Sequence, residues 1–354
     1  MNPALSADRS AIAGELIPII DMAAARSNDA EARRALARRF DQAFSHSGFC
    51  YVINHGVAER VIEEAFAASE QFFHAPLDEK LKQSPSAETM FRGYISETRK
   101  YRAYHDFNRD HAMAKSEGQC VGGKENFLFG VDTAGDEPAS AAGDWPRGPN
   151  PWPAGLPEFR PRAYGFYEEM HQVGEDILRM VALALGADEN FFSARYGEEG
   201  DTSLGLFSFY PSLTPAEVAA GKQSLLAHAD FSCLTLLVQD EVGGLQVQER
   251  SSQRWIDATP VPGSIVVNVG DLLARWSNNR YVSTPHRVMN ISGRERHSIG
   301  LTYNPRAEVL VDPCDLGVSD GDSLYPPVRA GRYMWARMME TSATDSEIEQ
   351  ALAG

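Results

Sequence analysis

Apolar residues recur with a helical period in the first half of the chain. Between residues 31 and 46 they fall every three or four positions, which predicts an amphipathic helix with Asp29 as its N-cap and Gly48 after its end. Similar patterns predict two more helices and two short strands, at 57–73, 161–185, 17–21 and 49–53. Gly186 is placed to cap the third helix.

The second half of the chain changes to a strand pattern. Short β-type runs are separated by Gly, Pro, Asn and Asp, a spacing typical of an antiparallel barrel or jelly roll. The predicted strands are 204–210, 232–239, 245–248, 264–268, 286–290 and 298–303, and a last helix is predicted at 330–340. We therefore expect an N-terminal region of helices and strands (1–160), a barrel core preceded by a long helix (161–325) and a C-terminal helix (326–354), all in one structural unit.

Composition excludes several classes of partner. The 354 residues carry a formal net charge of −16, which argues against nucleic acid, because phosphate binding needs clustered Lys and Arg. No apolar run reaches the roughly 20 residues of a membrane span, and we recognise no secretory signal. The cysteines, Cys50, Cys120, Cys233 and Cys314, form no CxxC pair, which favours free thiols in a reducing compartment. We expect a cytoplasmic monomer or weak homo-oligomer without nucleic-acid or membrane partners.

His228 and Asp230 are separated by one residue in a segment expected to be a strand. Because side chains alternate along a strand, both are predicted to point the same way and to hold adjacent positions on one metal ion. His286, from a later strand, supplies a third ligand. Two His and one carboxylate leave three positions open on the metal, which is the arrangement of non-haem Fe(II) oxygenases. The spacing alone leaves a zinc site or metal-free structural histidines as alternatives.

Arg296 and Ser298 share one face of a predicted strand, and Thr302 and Asn304 continue that face. A guanidinium beside a hydroxyl inside a barrel suits a carboxylate, because Arg binds it bidentately and Ser adds one hydrogen bond. 2-Oxoglutarate fits such a site, with its distal carboxylate on Arg296 and its 2-oxo acid end on the metal. The alternative is a buried salt bridge between Arg296 and an internal Asp or Glu.

Several longer phrases carry a resemblance to a known family. They are Ile17-Pro18-Ile19-Ile20-Asp21, Gly48-Phe49-Cys50-Tyr51-Val52-Ile53-Asn54-His55-Gly56, Arg92-Gly93-Tyr94, Lys124-Glu125-Asn126-Phe127, Asn150-Pro151-Trp152-Pro153, Asn268-Val269-Gly270-Asp271, Trp276-Ser277-Asn278, His286-Arg287-Val288 and Arg296-His297-Ser298. With them the chain resembles, over nearly its whole length, the isopenicillin N synthase-like family of Fe(II)/2-oxoglutarate-dependent dioxygenases.

The resemblance implies a mainly β fold with flanking helices: a double-stranded β-helix, or jelly-roll, core and an N-terminal α/β region. It assigns the iron to His228, Asp230 and His286.

The resemblance also implies a binding site for the distal carboxylate of 2-oxoglutarate. Arg296 and Ser298 belong to it, and Tyr210 is added to them. Members of the family often carry Asn two places before this tyrosine. Ser208 stands there in this chain, and its hydroxyl is a weaker candidate for the same carboxylate.

The implied activity is oxidation of a small-molecule C–H bond, chiefly hydroxylation and otherwise desaturation or cyclisation, with O₂ consumed and 2-oxoglutarate converted to succinate and CO₂. One alternative is an Fe(II) oxidase of the isopenicillin N synthase or ethylene-forming type that uses no 2-oxoglutarate. A second is a non-catalytic protein that keeps the barrel as a ligand pocket. The acidic, Ala- and Arg-rich composition suggests a GC-rich bacterium, and we expect a role in a specialised-metabolite pathway, antibiotic biosynthesis included, or in an amino-acid pathway.

The segment from Ser96 to Gly123 is polar and aromatic and shows no period. Our hypothesis is a lid over the active site. The substrate contacts that we predict are Arg99, Tyr101, Arg102 and Tyr104 in this segment, and Thr302 and Asn304 in the barrel. A solvated surface loop is the alternative interpretation of the segment.

Overall fold

Two β-sheets lie face to face, and helices cover the outer face of the larger sheet. The computed structural model describes residues 17–86, 89, 91–96, 123–132, 145, 148–198 and 200–339. The described strands are β1 (Ile19–Asp21), β2 (Phe49–Ile53), β3 (Gly93–Ser96), β4 (Glu125–Phe129), β5 (Leu204–Tyr210), β6 (Leu225–His228), β7 (Leu234–Gln239), β8 (Leu245–Gln248), β9 (Trp255–Asp257), β10 (Ile265–Val269), β11 (His286–Val288), β12 (Arg296–Tyr303), β13 (Leu310–Val311) and β14 (Val328–Arg329). The described helices are α1 (Ala30–His46), α2 (Glu59–Phe73), α3 (Leu77–Leu81), α4 (Phe159–Leu185), α5 (Pro215–Ala219), α6 (Asp271–Trp276) and α7 (Ala330–Met339).

The larger sheet combines strands from both sides of residue 160. Its order is β1-β2-β10-β7-β12-β5-β4-β3, and the smaller sheet has the order β6-β11-β8-β9. At one edge β2 pairs antiparallel with β10, and near the other edge β4 pairs antiparallel with β5. The N-terminal strands therefore widen the sheet that carries the central strand β12.

Alternation of side chains gives the larger sheet a helix-covered face and an inner face. In β12, Ile299 and Leu301 belong to the core beneath the helices. Arg296 points the other way, with its Cζ 4.8 Å from the ring centroid of Tyr210. Tyr210 belongs to a second apolar cluster between the two sheets. The polar positions of β12 thus face the interior of the barrel.

The four long helices lie where the apolar period predicts them, as α1, α2, α4 and α7. Asp29 caps α1 as predicted, because its side chain accepts hydrogen bonds from the backbone N–H groups of Glu31 (2.9 Å) and Ala32 (3.3 Å). Gly186 ends α4 in the left-handed conformation, with φ at 77°. These helix boundaries follow from local sequence alone.

The strand predictions are less complete than the helix predictions. The strand predicted at 17–21 begins only at Ile19, and the pattern did not reveal β3, β4, β9, β13 or β14. These strands have two to five residues, too few for a period-2 pattern to stand out. The strand expected around His228 and Asp230 is β6, which ends at His228.

Gly174 lies in α4 at its contact with β12. A Cβ at this position would lie 2.4 Å from Cδ1 of Tyr303, so the helix or the ring would have to move. We expect Gly174→Ala to lower the free energy of unfolding by about 1–3 kcal/mol through overpacking, although alanine is the better helix former. The control is Gly165→Ala in the same helix, where nothing lies within 4 Å of the added Cβ. This substitution should raise the free energy of unfolding by up to about 1 kcal/mol. Urea unfolding measures both, and a Gly174→Ala protein as stable as the parent would contradict the close contact.

The described residues include free cysteines and no helix suited to cross a membrane. Cys50, Cys233 and Cys314 are free, and Cys120 lies outside the described residues. Among the helices that the structure describes, none combines the length and apolar character that crossing a bilayer requires.

Candidate metal and co-substrate site

The three predicted metal ligands meet at one end of the barrel interior. His228 ends β6 and His286 begins β11, and the two residues are direct partners in the antiparallel register. The Nε2 atoms of His228 and His286 lie 3.5 Å and 3.7 Å from Oδ1 of Asp230. The prediction that His228 and Asp230 share a strand is wrong, because β6 ends at His228 and Asp230 lies in the connection to β7. The convergence of the three ligands does not depend on that strand.

Both histidines are oriented by backbone carbonyls. Nδ1 of His228 donates to the carbonyl oxygen of Leu226 (2.8 Å), and Nδ1 of His286 donates to that of Thr284 (3.2 Å). This tautomer leaves the lone pair of each Nε2 directed at Asp230, as a metal ligand requires. Burial lowers the pKa of His286 to about 4. The imidazole of His286 is therefore neutral at physiological pH.

The carboxylate of Asp230 is fixed by two side chains from the larger sheet. Its Oδ2 accepts hydrogen bonds from Thr235 Oγ1 (2.7 Å) and Asn268 Nδ2 (2.8 Å), which leaves Oδ1 to face the histidines. Burial alone would raise the pKa of Asp230, but His286, His228 and the Asn268 hydrogen bond together lower it below its ordinary value. Two imidazole nitrogens and one carboxylate suit a divalent cation such as Fe(II).

The backbone around Asp230 is held as closely as its side chain. Its carbonyl oxygen accepts the N–H of Asp271 at 2.7 Å. A Cβ on Gly270 would lie 2.1 Å from the carbonyl oxygen of Ser232 and 2.9 Å from that of Asp230. Only glycine allows this approach, which accounts for the Asn-Val-Gly-Asp phrase beside the metal ligand.

We expect Thr235→Val to weaken Fe(II) binding by about 10- to 100-fold, the usual effect of losing a hydrogen bond that orients a metal ligand. The control is Thr284→Val, at a buried threonine whose Oγ1 has no hydrogen-bond partner among the described residues. Anaerobic Fe(II) titration against a competing chelator measures both variants. Equal affinity in the Thr235→Val and Thr284→Val proteins would show that the hydroxyl of Thr235 does not orient Asp230.

The predicted carboxylate site is a row of polar side chains across β5 and β12. Arg296 is paired in register with Tyr210, and Ser298 with Ser208. Arg296 is fully buried, and its Nη1 donates to Ser298 Oγ at 3.3 Å. Its Nε and Nη2 have no hydrogen-bond partner among the described residues. No described acid lies within ion-pair distance of Arg296, although its charge acts at longer range on the buried carboxyl of Asp240. The structure therefore shows no direct salt bridge to Arg296 among the residues that it describes.

An unpartnered guanidinium inside a protein is costly, so an anionic ligand is expected there. A carboxylate of 2-oxoglutarate meets that requirement. Tyr210 lies beside it in the buried row. Ser208 is engaged elsewhere, since its hydroxyl donates to Asn126 Oδ1 at 2.8 Å. The contact between Ser208 and the co-substrate carboxylate, the weaker of the predicted contacts, remains a prediction.

The predicted substrate residues divide into two groups. Thr302 continues the inner face of β12 and is paired in register with Thr235. Asn304 is fully buried, and its amide bonds to backbone groups of Cys233 (2.8 Å) and Thr202 (3.3 Å), which favours a structural role. The others, Arg99, Tyr101, Arg102 and Tyr104, lie outside the described residues, as does most of the Ser96–Gly123 segment.

A second group of possible ligands, His74, Glu295 and His297, lies on the helix-covered side of β12. The side chains of His74 and Glu295 are 54% and 55% exposed, and His74 Nε2 lies 2.8 Å from Glu295 Oε2. His297 Nδ1 lies 3.3 Å from Ser69 Oγ of α2. A surface contact between His74 and Glu295 explains this group without a metal.

Sequence reasoning missed three side chains of the site. Thr235 and Asn268 bind the carboxylate of Asp230, and Lys124 lies beside Tyr210. Asn268 and Lys124 belong to the sequence phrases that carry the family resemblance, but the phrases alone did not indicate what these two side chains do. Thr235 stands in an ordinary strand pattern, and only the structure shows its hydrogen bond.

Comparison with known families and proteins gives matches along most of the chain. Residues 192–305 match the 2OG-Fe(II) oxygenase superfamily, and residues 17–155 match the family described as non-haem dioxygenase in morphine synthesis N-terminal. The chain is 33% identical over 322 residues to the 2-oxoglutarate-Fe(II) type oxidoreductase hxnY of Emericella nidulans, covering 88% of this chain and 86% of that protein. It is 30% identical over 343 residues to Kihadalactone A synthase LFS of Citrus sinensis, covering 95% and 97%.

Two solved structures show the same fold. A full-length Neurospora crassa protein in complex with alpha-KG and thymine has a TM-score of 0.76 and 26% identity, covering 91% of this chain and 96% of that one. JOX2, in complex with 2OG, Fe and JA, has a TM-score of 0.73 and 26% identity, covering 96% and 89%. These likenesses confirm the predicted fold class, which is mainly β with a jelly-roll core and flanking helices.

Proposed function

The chain belongs to the 2OG-Fe(II) oxygenase superfamily, and from this premise we propose that it hydroxylates a C–H bond of a small organic molecule. It is an oxidoreductase that uses Fe(II), 2-oxoglutarate and O₂, and the resemblance to the isopenicillin N synthase-like family is confirmed. The proposal depends on two groups of side chains that face the interior of the same barrel. A set of three candidate metal ligands faces inward, and two nitrogens of the buried Arg296 guanidinium in the same interior have no hydrogen-bond partner among the described residues.

We assign the iron to Nε2 of His228, Nε2 of His286 and Oδ1 of Asp230. The donor set fits Fe(II), because two imidazole nitrogens and one carboxylate would leave positions for the 2-oxo acid and for O₂. With both bound, iron and 2-oxoglutarate supply the oxidation: one atom of O₂ enters the substrate as a hydroxyl, the other enters succinate, and CO₂ leaves.

The protein's own contribution in this proposal is binding, orientation and exclusion of water. Arg296 and Ser298 hold the distal carboxylate, so the 2-oxo acid end points towards the three metal ligands. Phe49 packs its ring edge-on to His286, with centroids 5.5 Å apart, and belongs with Leu225 and Val247 to the apolar cluster between the sheets. These apolar neighbours keep water from one side of the site.

The substrate is expected to be small and to enter beside Thr302. Thr302 lies on the inner face of β12, opposite the threonine that orients Asp230. A negatively charged surface disfavours a nucleic-acid polymer, but it does not disfavour a free base, and the Neurospora crassa protein was crystallised with thymine. Thymine and other planar heterocycles therefore belong in the first substrate panel, next to small carboxylic acids.

The test is a screen of such molecules with Fe(II), 2-oxoglutarate and ¹⁸O₂. We expect one substrate to give a product heavier by one ¹⁸O atom, with one succinate formed per product. Desaturation would instead give succinate with a product lacking two hydrogens, and would overturn hydroxylation while keeping the family chemistry. A product formed without succinate would identify an oxidase independent of 2-oxoglutarate, and would contradict the proposal. The bacterial specialised-metabolite pathway stays a prediction.

A further inference from the structure

Lys124 lies buried beside the row that we assign to the co-substrate carboxylate. Lys124 is only 4% exposed, and its Nζ lies 5.3 Å from the ring centroid of Tyr210. The Cζ of Arg296 lies 4.8 Å from the centroid of the same ring. One buried tyrosine ring therefore has two side-chain cations beside it.

The strand register explains this placement. Glu125 is paired with Phe209 on β5, so Lys124, one residue earlier, continues the pairing to Tyr210. Tyr210 is paired in turn with Arg296 on β12. Lys124, directly before β4, thus lies in one row with Tyr210 of β5 and Arg296 of β12, and alternation places all three side chains on the inner face.

The nearest acid in sequence does not neutralise Lys124. Glu125 points to the opposite face, where its Oε2 accepts hydrogen bonds from Lys80 Nζ (2.6 Å) and Tyr94 Oη (2.8 Å). Among the described residues, no carboxylate forms an ion pair with either Lys124 or Arg296. Two buried cations on one ring repel each other unless an anion lies between them.

We propose that Lys124 is a second cationic ligand of the distal carboxylate of 2-oxoglutarate, acting with Arg296 across the Tyr210 ring. This inference rests on the proposed function, since it assumes that the row is the co-substrate site. Arg296 supplies the planar, bidentate contact, and Lys124 supplies a point charge on the other side of the carboxylate. The chain should therefore discriminate strongly between 2-oxo acids that carry a distal carboxylate and those that lack one.

The effect of the two cations is visible at Tyr210. Burial would raise the pKa of its hydroxyl, but Lys124 and Arg296 lower it below the ordinary value of a tyrosine. Hydrogen bonds to Ser208 and Lys124 lower the pKa in the same direction, so the surroundings of this hydroxyl favour a negative charge despite burial. A carboxylate bound beside the two cations would be favoured in the same way.

The test compares Lys124→Met with Lys124→Arg in their affinity for two ligands, 2-oxoglutarate and 2-oxobutanoate. The second ligand keeps the 2-oxo acid end but has no distal carboxylate. Binding is measured anaerobically by calorimetry on the full chain loaded with Mn(II). We expect Lys124→Met to weaken 2-oxoglutarate binding by about 10- to 100-fold, the usual range for a charged hydrogen bond. Binding of 2-oxobutanoate should be nearly unchanged, and Lys124→Arg should recover most of the affinity for 2-oxoglutarate.

Two controls separate this proposal from the proposed function. Lys82→Met removes a lysine that is 61% exposed and pairs with Glu79, and it should leave both affinities unchanged. Arg296→Met tests the carboxylate site itself. If Arg296→Met loses 2-oxoglutarate but Lys124→Met binds it like the parent, the role of Lys124 is wrong and the carboxylate site stands. If neither substitution alters 2-oxoglutarate binding, both the site and the role of Lys124 are wrong. Lys124→Gln replaces Lys124→Met if the methionine variant does not fold.

Discussion

Replacing His286 by alanine is expected to abolish tight Fe(II) binding and all turnover that is coupled to succinate. His286 is buried, and its Nε2 lies 3.7 Å from Oδ1 of Asp230, so the substitution removes one of the three side chains that converge on the proposed metal position. Loss of a direct ligand should exceed the roughly 10- to 100-fold effect of losing an outer-shell hydrogen bond. Anaerobic Fe(II) titration and succinate formation measure the two consequences.

His74→Ala is the matched control for this substitution. His74 also approaches a histidine and a carboxylate, but it is largely exposed and lies on the other face of the sheet. Its loss should leave Fe(II) binding and succinate formation at the parent level. If the His286→Ala protein still bound one Fe(II) as tightly as the parent, the assignment of the metal to this end of the barrel would be wrong.

The three candidate metal ligands could be predicted from the sequence, even though the local structure of one of them was predicted wrongly. We placed His228 and Asp230 on one strand, whereas the strand ends at His228. The two residues still converge, because β11 pairs His286 directly with His228 and Asp271 holds the backbone of Asp230. The spacing suggested that these residues share a site, and the fold brings them together through a different local structure.

The contacts of Thr235, Asn268 and Lys124 with the site residues could not be predicted in the same way. Thr235 and Asn268 reach Asp230 from β7 and β10, and their identity as partners depends on how these two strands are registered. Lys124 reaches Tyr210 only because β4 joins the larger sheet beside β5. The sequence pattern did not reveal β4 as a strand, so no argument from alternation could place its side chains. Contacts between distant strands depend on register, which a single sequence does not specify.

Arg296→Met is expected to change stability and ligand binding in opposite directions. Arg296 is fully buried with two nitrogens unpartnered among the described residues, so the ligand-free protein bears the desolvation of an uncompensated charge. A buried charge that is left without its partner costs about 3–5 kcal/mol, and methionine removes that charge. We therefore expect the ligand-free Arg296→Met protein to be at least as stable as the parent in urea unfolding.

Binding of 2-oxoglutarate should show the reverse effect. Removing one partner of a buried, hydrogen-bonded charge pair costs about 2–5 kcal/mol, which corresponds to a loss of affinity of roughly 30- to 5,000-fold. At a ligand concentration 100 times the parent Kd, 2-oxoglutarate should stabilise the Mn(II)-loaded parent by about 2.7 kcal/mol. It should stabilise the Arg296→Met protein by much less, and Arg296→Lys should fall between the two because it keeps the charge but not the planar pair of N–H groups. A variant that lost stability without ligand, yet kept the full stabilisation by 2-oxoglutarate, would show that Arg296 is a structural residue and that the carboxylate binds elsewhere.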